Sequence, residues 1–285
     1  MIDPGQVAFF VPPNLKKFKL KLFERIAEHI RKLGGRVVRH DYRELERVVP
    51  DFIPIVGCSP PFAEAIKRWQ QERQRWIYWD RGYLRRVFAT WLPKGSDMGI
   101  DGGYYRWQVG GFQMSGLRAD AAADRWKSLE LDRPFRINGD MLQPLPHAWH
   151  RDGDHIVVAH TLSDYWDLRG LPRDWSFRVA EQLKQYTRRP IVVRDKESKT
   201  PLHVDLRGAH ALVTHGSIAA VEAVTLGYPV FVDRESAAAV MGQTDLALIE
   251  QPVYPDERMP WLHSLAYCQF NEDELCNGLL WRLIG

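Results

Sequence analysis

The sequence is poor in cysteine and in uninterrupted apolar stretches. Cys58, Cys268 and Cys276 form an odd, scattered set without CxxC spacing. That argues against a disulfide framework and against a cysteine zinc site, and it leaves reduced thiols as the expectation. No run of about 18 apolar residues occurs. The basic cluster Lys16, Lys17, Lys19 and Lys21 is not followed by the apolar segment of a signal peptide. A soluble, cytoplasmic protein with no membrane partner is therefore expected. GxGxxG, GxxxxGK[ST] and GxSxG are also missing, which disfavours the usual dinucleotide, P-loop and hydrolase sites. His203, His210 and His215 are seven and five residues apart, not the i, i+4 of a helical zinc site. Asp152-Gly-Asp154 precedes an expected strand instead of ending one, so no metal is expected.

What is present is ordinary globular composition, 45% apolar and 26% charged over 285 residues. That length exceeds one usual compact domain, and two domains sharing a cleft are the default expectation. The net charge of +3 conceals an asymmetry. Residues 1–150 hold 25 Lys and Arg against 17 Asp and Glu, a net of +8, whereas 151–285 hold 14 against 19, a net of −5. A basic half suits a polyanion, and an acidic half suits it poorly. Two solvated surfaces with unequal counts would give the same arithmetic.

The apolar run Gln6–Val11 reads as a buried strand, and Pro12-Pro13-Asn14 breaks it. Leu15, Phe18, Leu22, Ile26, Ile30 and Leu33 then recur at helical spacing until Gly34-Gly35 supplies a stop. Strands are expected at 36–39, 52–56 and 76–80, with a helix over 61–74 started by Pro60-Pro61. Residues 82–150 have no clean period and read as loops, short helices and a hairpin. Alternation resumes with strands at 155–160, 191–194, 211–214 and 229–233, and helices over 173–186 and 217–226. A last amphipathic helix spans 272–283. Such alternation implies mostly parallel sheets, whose ligands sit just beyond the carboxyl ends of the strands.

The most informative segment runs from Ala211 to Val232. A strand ends in Thr214-His215-Gly216-Ser217, and a small-residue helix carrying Glu222 begins at once. Free backbone N–H groups at such a start suit a phosphate; an ordinary turn with Ser217 as helix cap is the alternative. Together with Gly227-Tyr-Pro-Val230, this pattern resembles the donor-binding region of GT-B glycosyltransferases. Residues 155–285 are similar to phage-encoded glycosyltransferases, including enzymes proposed to decorate modified bases of bacteriophage DNA. The similarity lies in Arg194-Asp-Lys196, Asp205-Leu-Arg-Gly-Ala209, Met241-Gly-Gln-Thr-Asp245, Ile249-Glu-Gln-Pro252 and Trp261-Leu-His-Ser-Leu-Ala-Tyr-Cys-Gln269. It reaches the first half through Asp80-Arg-Gly-Tyr83 and Tyr104-Tyr-Arg-Trp107.

The resemblance implies an α/β chain of GT-B class, two Rossmann-like α/β domains facing a central cleft. The acceptor domain would be 1–150, the nucleotide-sugar domain 151–270, and 271–285 a helix crossing back to the first. It implies a metal-independent transferase without a resident cofactor. A UDP-sugar would be the donor, and a hydroxyl of a modified base in double-stranded DNA, such as 5-hydroxymethylcytosine, the acceptor.

Arg194 and Lys196, just after a strand, suit a diphosphate, or are surface cations in a polar loop. Glu222 suits ribose hydroxyls, or is an exposed helix carboxylate. Thr161 and Ser163, with His215, Gly216 and Ser217, complete the expected donor set, plain loop polarity being the alternative for Thr161 and Ser163. Transfer to a hydroxyl needs a base, for which Asp80 is the first choice and Asp101 the reserve. The alternatives are an ion pair of Asp80 with Arg81, Arg85 or Arg86, and a turn role for Asp101.

Lys67, Arg68, Arg73, Arg75, Arg81, Arg85 and Arg86 interleave with Trp69, Trp76, Tyr78, Trp79 and Tyr83, and Tyr104, Tyr105, Arg106 and Trp107 add a second cluster. Cations for phosphates and rings for bases are what a nucleic-acid surface requires. The same rings suit a saccharide or a core. Two rivals stay open: a transferase acting on a surface polysaccharide or small acceptor, and a non-catalytic nucleic-acid-binding protein on a degenerate GT-B fold.

Overall fold

The computed structural model describes residues 6–11, 17–41, 43–44, 52–84, 104–137, 140–161, 163–195 and 200–284. The chain forms two compact units. One comprises 1–112, 167–170 and 267–285; the other comprises 113–166 and 171–266. The long first segment of the first unit ends at 112, so the region without clean period, 82–150, is divided between the two units. Recounted over these units, the first carries 22 Lys and Arg against 16 Asp and Glu, a net of +6. The second carries 17 against 20, a net of −3, so the asymmetry is kept but reduced.

The first unit opens with β1 (Gln6–Val11), α1 (Lys17–Lys32), β2 (Arg36–Asp41), β3 (Ile53–Val56), α2 (Ala63–Gln71), β4 (Ile77–Arg81) and β5 (Tyr105–Val109). Alternate residues of β1 face opposite sides of the sheet. Val7 and Phe9 pack with Ile55, Ile77 and Trp79 under Leu22, Phe23, Ile26 and Ile30 of α1. Ala8 and Phe10 pack with Val56 and Tyr78 against Ala65, Ile66 and Trp69 of α2. Burial on both faces is why these strands read as near-continuous apolar runs. The stop of α1 forms as expected: the Gly34 N–H donates to the Arg31 carbonyl and the Gly35 N–H to that of Ile30, both at 3.0 Å.

The second unit contributes α3 (Asp124–Ser128), β6 (Phe135–Ile137), β7 (Asp140–Leu142) and β8 (His155–Ala159). Next come α4 (Ser163–Arg169), whose last residues count with the first unit, then α5 (Trp175–Leu183), β9 (Ile191–Arg194) and α6 (Leu202–Asp205). β10 (Ala209–Val213), α7 (Ala219–Thr225), β11 (Val230–Phe231) and α8 (Met259–Tyr267) follow, α8 ending at the first unit's boundary. β6 and β7 form the antiparallel hairpin expected in this stretch. The main sheet has the order β11-β10-β8-β9 with every pair parallel. Val179, Ala180 and Leu183 of α5 pack on Ile156, Val158, Ala211 and Val213, and α7 lies against β10 and β11.

The chain then returns to the first unit as β12 (Gln269–Phe270), α9 (Glu272–Cys276) and α10 (Leu279–Leu283). The first sheet has the order β12-β5-β4-β3-β1-β2, with β4–β5 and β5–β12 antiparallel and the rest parallel. The single closing helix expected over 272–283 is two helices, because the chain turns at Gly278, whose φ of 87° lies in the left-handed region, and the Asn277 side chain accepts the Leu279 N–H at 3.0 Å across that turn. Asn271 and Glu274 form a reciprocal capping box at the start of α9. Among the described residues no helix is long and apolar enough to cross a membrane.

Leu275, Leu280 and Trp281 belong to the same core as α1, and the Trp281 ring meets Trp107 edge-on at 6.3 Å. Trp281→Ala is therefore expected to cost the first unit about 3–5 kcal/mol. Urea unfolding followed by fluorescence and circular dichroism measures it, and a change under about 1 kcal/mol would contradict this packing.

Candidate functional site

In the second unit the carboxyl ends of all four strands lie along one edge of the parallel sheet. From β8 the chain moves to β9 on one side and then returns to β10 on the other, so the strand order reverses between β8 and β10. Such a reversal separates the loops beyond the two strands and is where parallel α/β sheets bind ligands. The residues after β8 are His160 and Thr161, and those after β10 are Thr214, His215, Gly216 and Ser217.

Thr214 ties this edge together. Its hydroxyl donates to the Ala159 carbonyl of β8 at 3.2 Å, and its N–H donates to the Phe231 carbonyl of β11 at 3.0 Å. Three strand ends are thus joined through one buried residue. The His215 carbonyl accepts the Asp233 N–H at 2.9 Å, which extends the tie past β11.

The imidazole of His215 stands among rings. It meets Trp175 edge-on at 5.7 Å and Trp166 at 6.3 Å, while its Nδ1 is 3.1 Å from the Tyr165 hydroxyl. Nε2 lies 3.9 Å from Asp233 Oδ2. Next to it, a Cβ on Gly216 would come 2.4 Å from the Tyr165 hydroxyl oxygen, so a larger residue there must displace that ring. The Gly216 carbonyl accepts from the side-chain amide of Gln113, whose oxygen accepts the Ala237 N–H at 2.8 Å. Ser217 Oγ accepts the Ala219 N–H at 3.2 Å, a local turn contact; the residue that precedes α7 is Ile218, so Ser217 is not the helix cap of its alternative reading. As a hydroxyl it also has a hydrogen to donate. Thr161 is buried beside β8, Ser163 is exposed at the start of α4, and Glu222 is half-buried on α7.

Arg194 is at the same edge, opposite Ala159, but its charge is already engaged. Nε donates to Asp205 Oδ2 at 2.5 Å and Nη2 to the Thr200 carbonyl at 2.6 Å. The expected neutraliser of a diphosphate is therefore the partner of a carboxylate four residues before β10. Lys196 lies outside the described residues.

In the first unit, antiparallel register places Asp80 of β4 directly across from Arg106 of β5. Arg106 Nη2 donates to Asp80 Oδ2 at 3.0 Å, the Tyr78 hydroxyl donates to the same oxygen at 3.2 Å, and the Arg81 N–H donates to Oδ1 at 2.8 Å. Burial, reinforced by the Asp80 charge, pushes the Tyr78 phenol well above its usual range. Burial works against the Arg106 cation, yet Asp80, Tyr78 and Tyr83 hold its pKa above the ordinary value. Asp80 thus pairs with Arg106, a residue assigned to nucleic acid, while Arg81, one of the partners weighed for it, contributes its backbone N–H. Asp101, Arg85 and Arg86 lie outside the described residues.

The expected cation-and-ring surface is redistributed. Trp69, Trp76, Tyr78, Trp79, Tyr83, Tyr105 and Trp107 are buried in the first unit, so their faces serve packing rather than bases. Arg106 is buried with them. Lys67, Arg73, Arg75 and Arg81 are exposed, and Arg68 and Tyr104 are half-buried. Arg81 ends β4 and Arg75 lies two residues before its start, so the strand's length, about 13 Å over four steps, stands between them. They do not form one patch.

Sequence reasoning missed Tyr165, Trp166, Trp175, Gln113 and Asp233. Asp233 follows a strand and was open to the same rule that found His215. Gln113 had no such signal, being 103 residues from its partner. Among the described residues no group of three or more His, Cys, Asp or Glu side chains is placed to hold a metal ion.

No family model matches the chain, and no curated protein sequence does. Among solved structures it is similar to a chain described as Thermosulfurimonas dismutans KpsC, beta Kdo 2,7 transferase, at 12% identity over 98% of both chains with a TM-score of 0.47. It is also similar to a chain described as the beta Kdo 2,4 transferase of the same KpsC, at 12% identity over 98% of both chains with a TM-score of 0.48.

The contact between Gly216 and Tyr165 is testable. Gly216→Ala should destabilise the second unit, and Tyr165→Phe, which removes the obstructing oxygen, should restore part of the loss. A double-mutant cycle by urea unfolding should give a coupling above about 0.5 kcal/mol; strictly additive effects would contradict the contact.

Proposed function

We propose that the protein is a glycosyltransferase of GT-B type that binds a nucleotide sugar, UDP-linked, at the carboxyl edge of the β11-β10-β8-β9 sheet. The observation that carries this reading is the order reversal between β8 and β10, with the Thr214–Ser217 turn held by Thr214, Gln113 and Tyr165. A diphosphate needs fixed donors at close range, and the turn offers backbone N–H groups, the Ser217 hydroxyl and His215 in a prearranged loop. Glu222, one helical turn on, is assigned to the ribose hydroxyls, and Thr161 and Ser163 to phosphate oxygens. Lys196 keeps its assigned role as the cation for the leaving group, and Arg194 is assigned to hold Asp205 and the Thr200 carbonyl at the end of β9.

The chemistry is a displacement at the anomeric carbon. Asp80 takes the proton from the acceptor hydroxyl, the oxygen bonds to the anomeric carbon, and the bond to the nucleotide diphosphate breaks with its electrons on the departing phosphate. Donors already aimed at that phosphate stabilise the charge without reorganising.

The acceptor implied by the resemblance, a hydroxymethylated pyrimidine in double-stranded DNA, draws support from exposed Lys67, Arg73, Arg75 and Arg81 and none from the buried rings. The buried rings are equally withdrawn from a saccharide, which with a small hydroxyl acceptor forms the second reading. The test offers uridine- and cytidine-activated sugars with plain duplex, hydroxymethylated duplex and oligosaccharide, followed by mass spectrometry. One acceptor should gain the mass of one sugar with release of nucleotide. Asp80→Ala should lower transfer by about 100-fold or more while sugar-nucleotide binding persists. DNA binding with no affinity for any sugar nucleotide would contradict the transferase reading and leave a nucleic-acid-binding protein.

A further inference from the structure

Among the described residues, Arg106 is the most deeply enclosed charge in the first unit, and strand pairing alone does not require it. Its side chain is 5% exposed, whereas that of Asp80 is 28% exposed. Besides its bond to Asp80, Nη1 donates to the Arg81 carbonyl at 3.1 Å, and the guanidinium lies over the rings of both Tyr78 and Tyr83 at 5.5 Å. Taking such a group out of water is expensive, and an apolar residue across the same two strands is often as stable or more so. The arrangement spends a buried cation to fix a carboxylate that solvent still reaches, at the carboxyl end of β4.

We propose that Arg106 is a positioning residue, holding the Asp80 carboxylate ionised and in one orientation so that Asp80 serves as base, with Tyr78 as a second positioning donor. This rests on the transferase reading, because it assigns Asp80 the acceptor proton. The groups that bear on Asp80 come from several elements. Tyr78 stands on β4, Arg106 on β5, Arg81 and Tyr83 at and after the end of β4, and Cys58 just after β3. Tyr78, raised well above its usual range, stays neutral through the working pH range. Arg81 is exposed and its charge is screened by solvent. Among the described residues, Arg106 is therefore the cation whose removal Asp80 should feel most. A fixed positive charge within hydrogen-bond distance favours the ionised carboxylate, so its loss moves protonation to higher pH. A planar fork also holds two acceptors at once, which a lysine ammonium does less well.

The test uses Arg106→Met and Arg106→Lys in the full chain, with the sugar nucleotide and acceptor that the wild-type protein turns over. Arg106→Met should lower kcat at neutral pH by about 10-fold or more and move the acid limb of the kcat profile up by about one pH unit, with KM for the sugar nucleotide unchanged. Arg106→Lys should return the limb toward its wild-type position while recovering only part of kcat. If Arg106→Met does not fold, Tyr78→Phe supplies the readout: a fall in kcat at unchanged donor KM supports the assignment, and unchanged kcat overturns it. A folded Arg106→Met protein with a lower Tm but a wild-type pH profile means a purely structural ion pair and overturns the inference alone. A fully active Asp80→Ala protein does the same. Wild-type protein that turns over no sugar nucleotide overturns the transferase reading and this role with it.

Discussion

The second unit depends on the parallel register between β8 and β10. Val213 lies beside Val158, and the next residue, Thr214, reaches back to the Ala159 carbonyl with its hydroxyl and across to β11 with its N–H. One such bond contributes only about 1 kcal/mol net, so its importance is geometric. It fixes where the backbone leaves the sheet, and the His215–Ser217 turn starts from that point. Tyr165 and Gln113 then hold the turn from the side. A loop prearranged in this way has donors in place before any ligand arrives, which is what stabilisation of developing charge demands.

The first unit solves a different problem with the same architecture. Its sheet continues past β4 with two antiparallel strands, β5 and β12, and the antiparallel register sets Arg106 across from Asp80. The rings around this pair form the unit's core, and their π-faces lie against the guanidinium, which reduces the cost of enclosing a cation. The result is one exposed edge of a carboxylate on a rigid support.

Much of this was legible in the sequence because it rests on periodicity and breakers. The apolar runs at β1, β8 and β10, the helical spacing from Leu22 to Ile30 and the stop at Gly34-Gly35 each follow from local physics. So did the placement of Thr161 and of the His215–Ser217 turn just beyond strands. What local pattern does not carry is pairing between distant segments. Two residues, Gln269 and Phe270, complete the first sheet, too short a run to show a period. Segment 163–169 forms a helix of only seven residues, too short for a helical period to stand out. Arg106 and Trp107 gave the compositional signal of a nucleic-acid surface, since alternating cations and rings look alike whether the rings face solvent or the core. Only the register of β5 against β4 separates the two.

The central claim is that a nucleotide occupies the edge formed by the ends of β8 and β10, and hydrogen–deuterium exchange in the presence of saturating UDP tests it most directly. The account predicts slowed exchange at the amides of 160–165 and 214–219, with the amino-terminal ends of the same strands unchanged. Equal exchange with and without nucleotide at those amides, or protection confined to other segments, would contradict it.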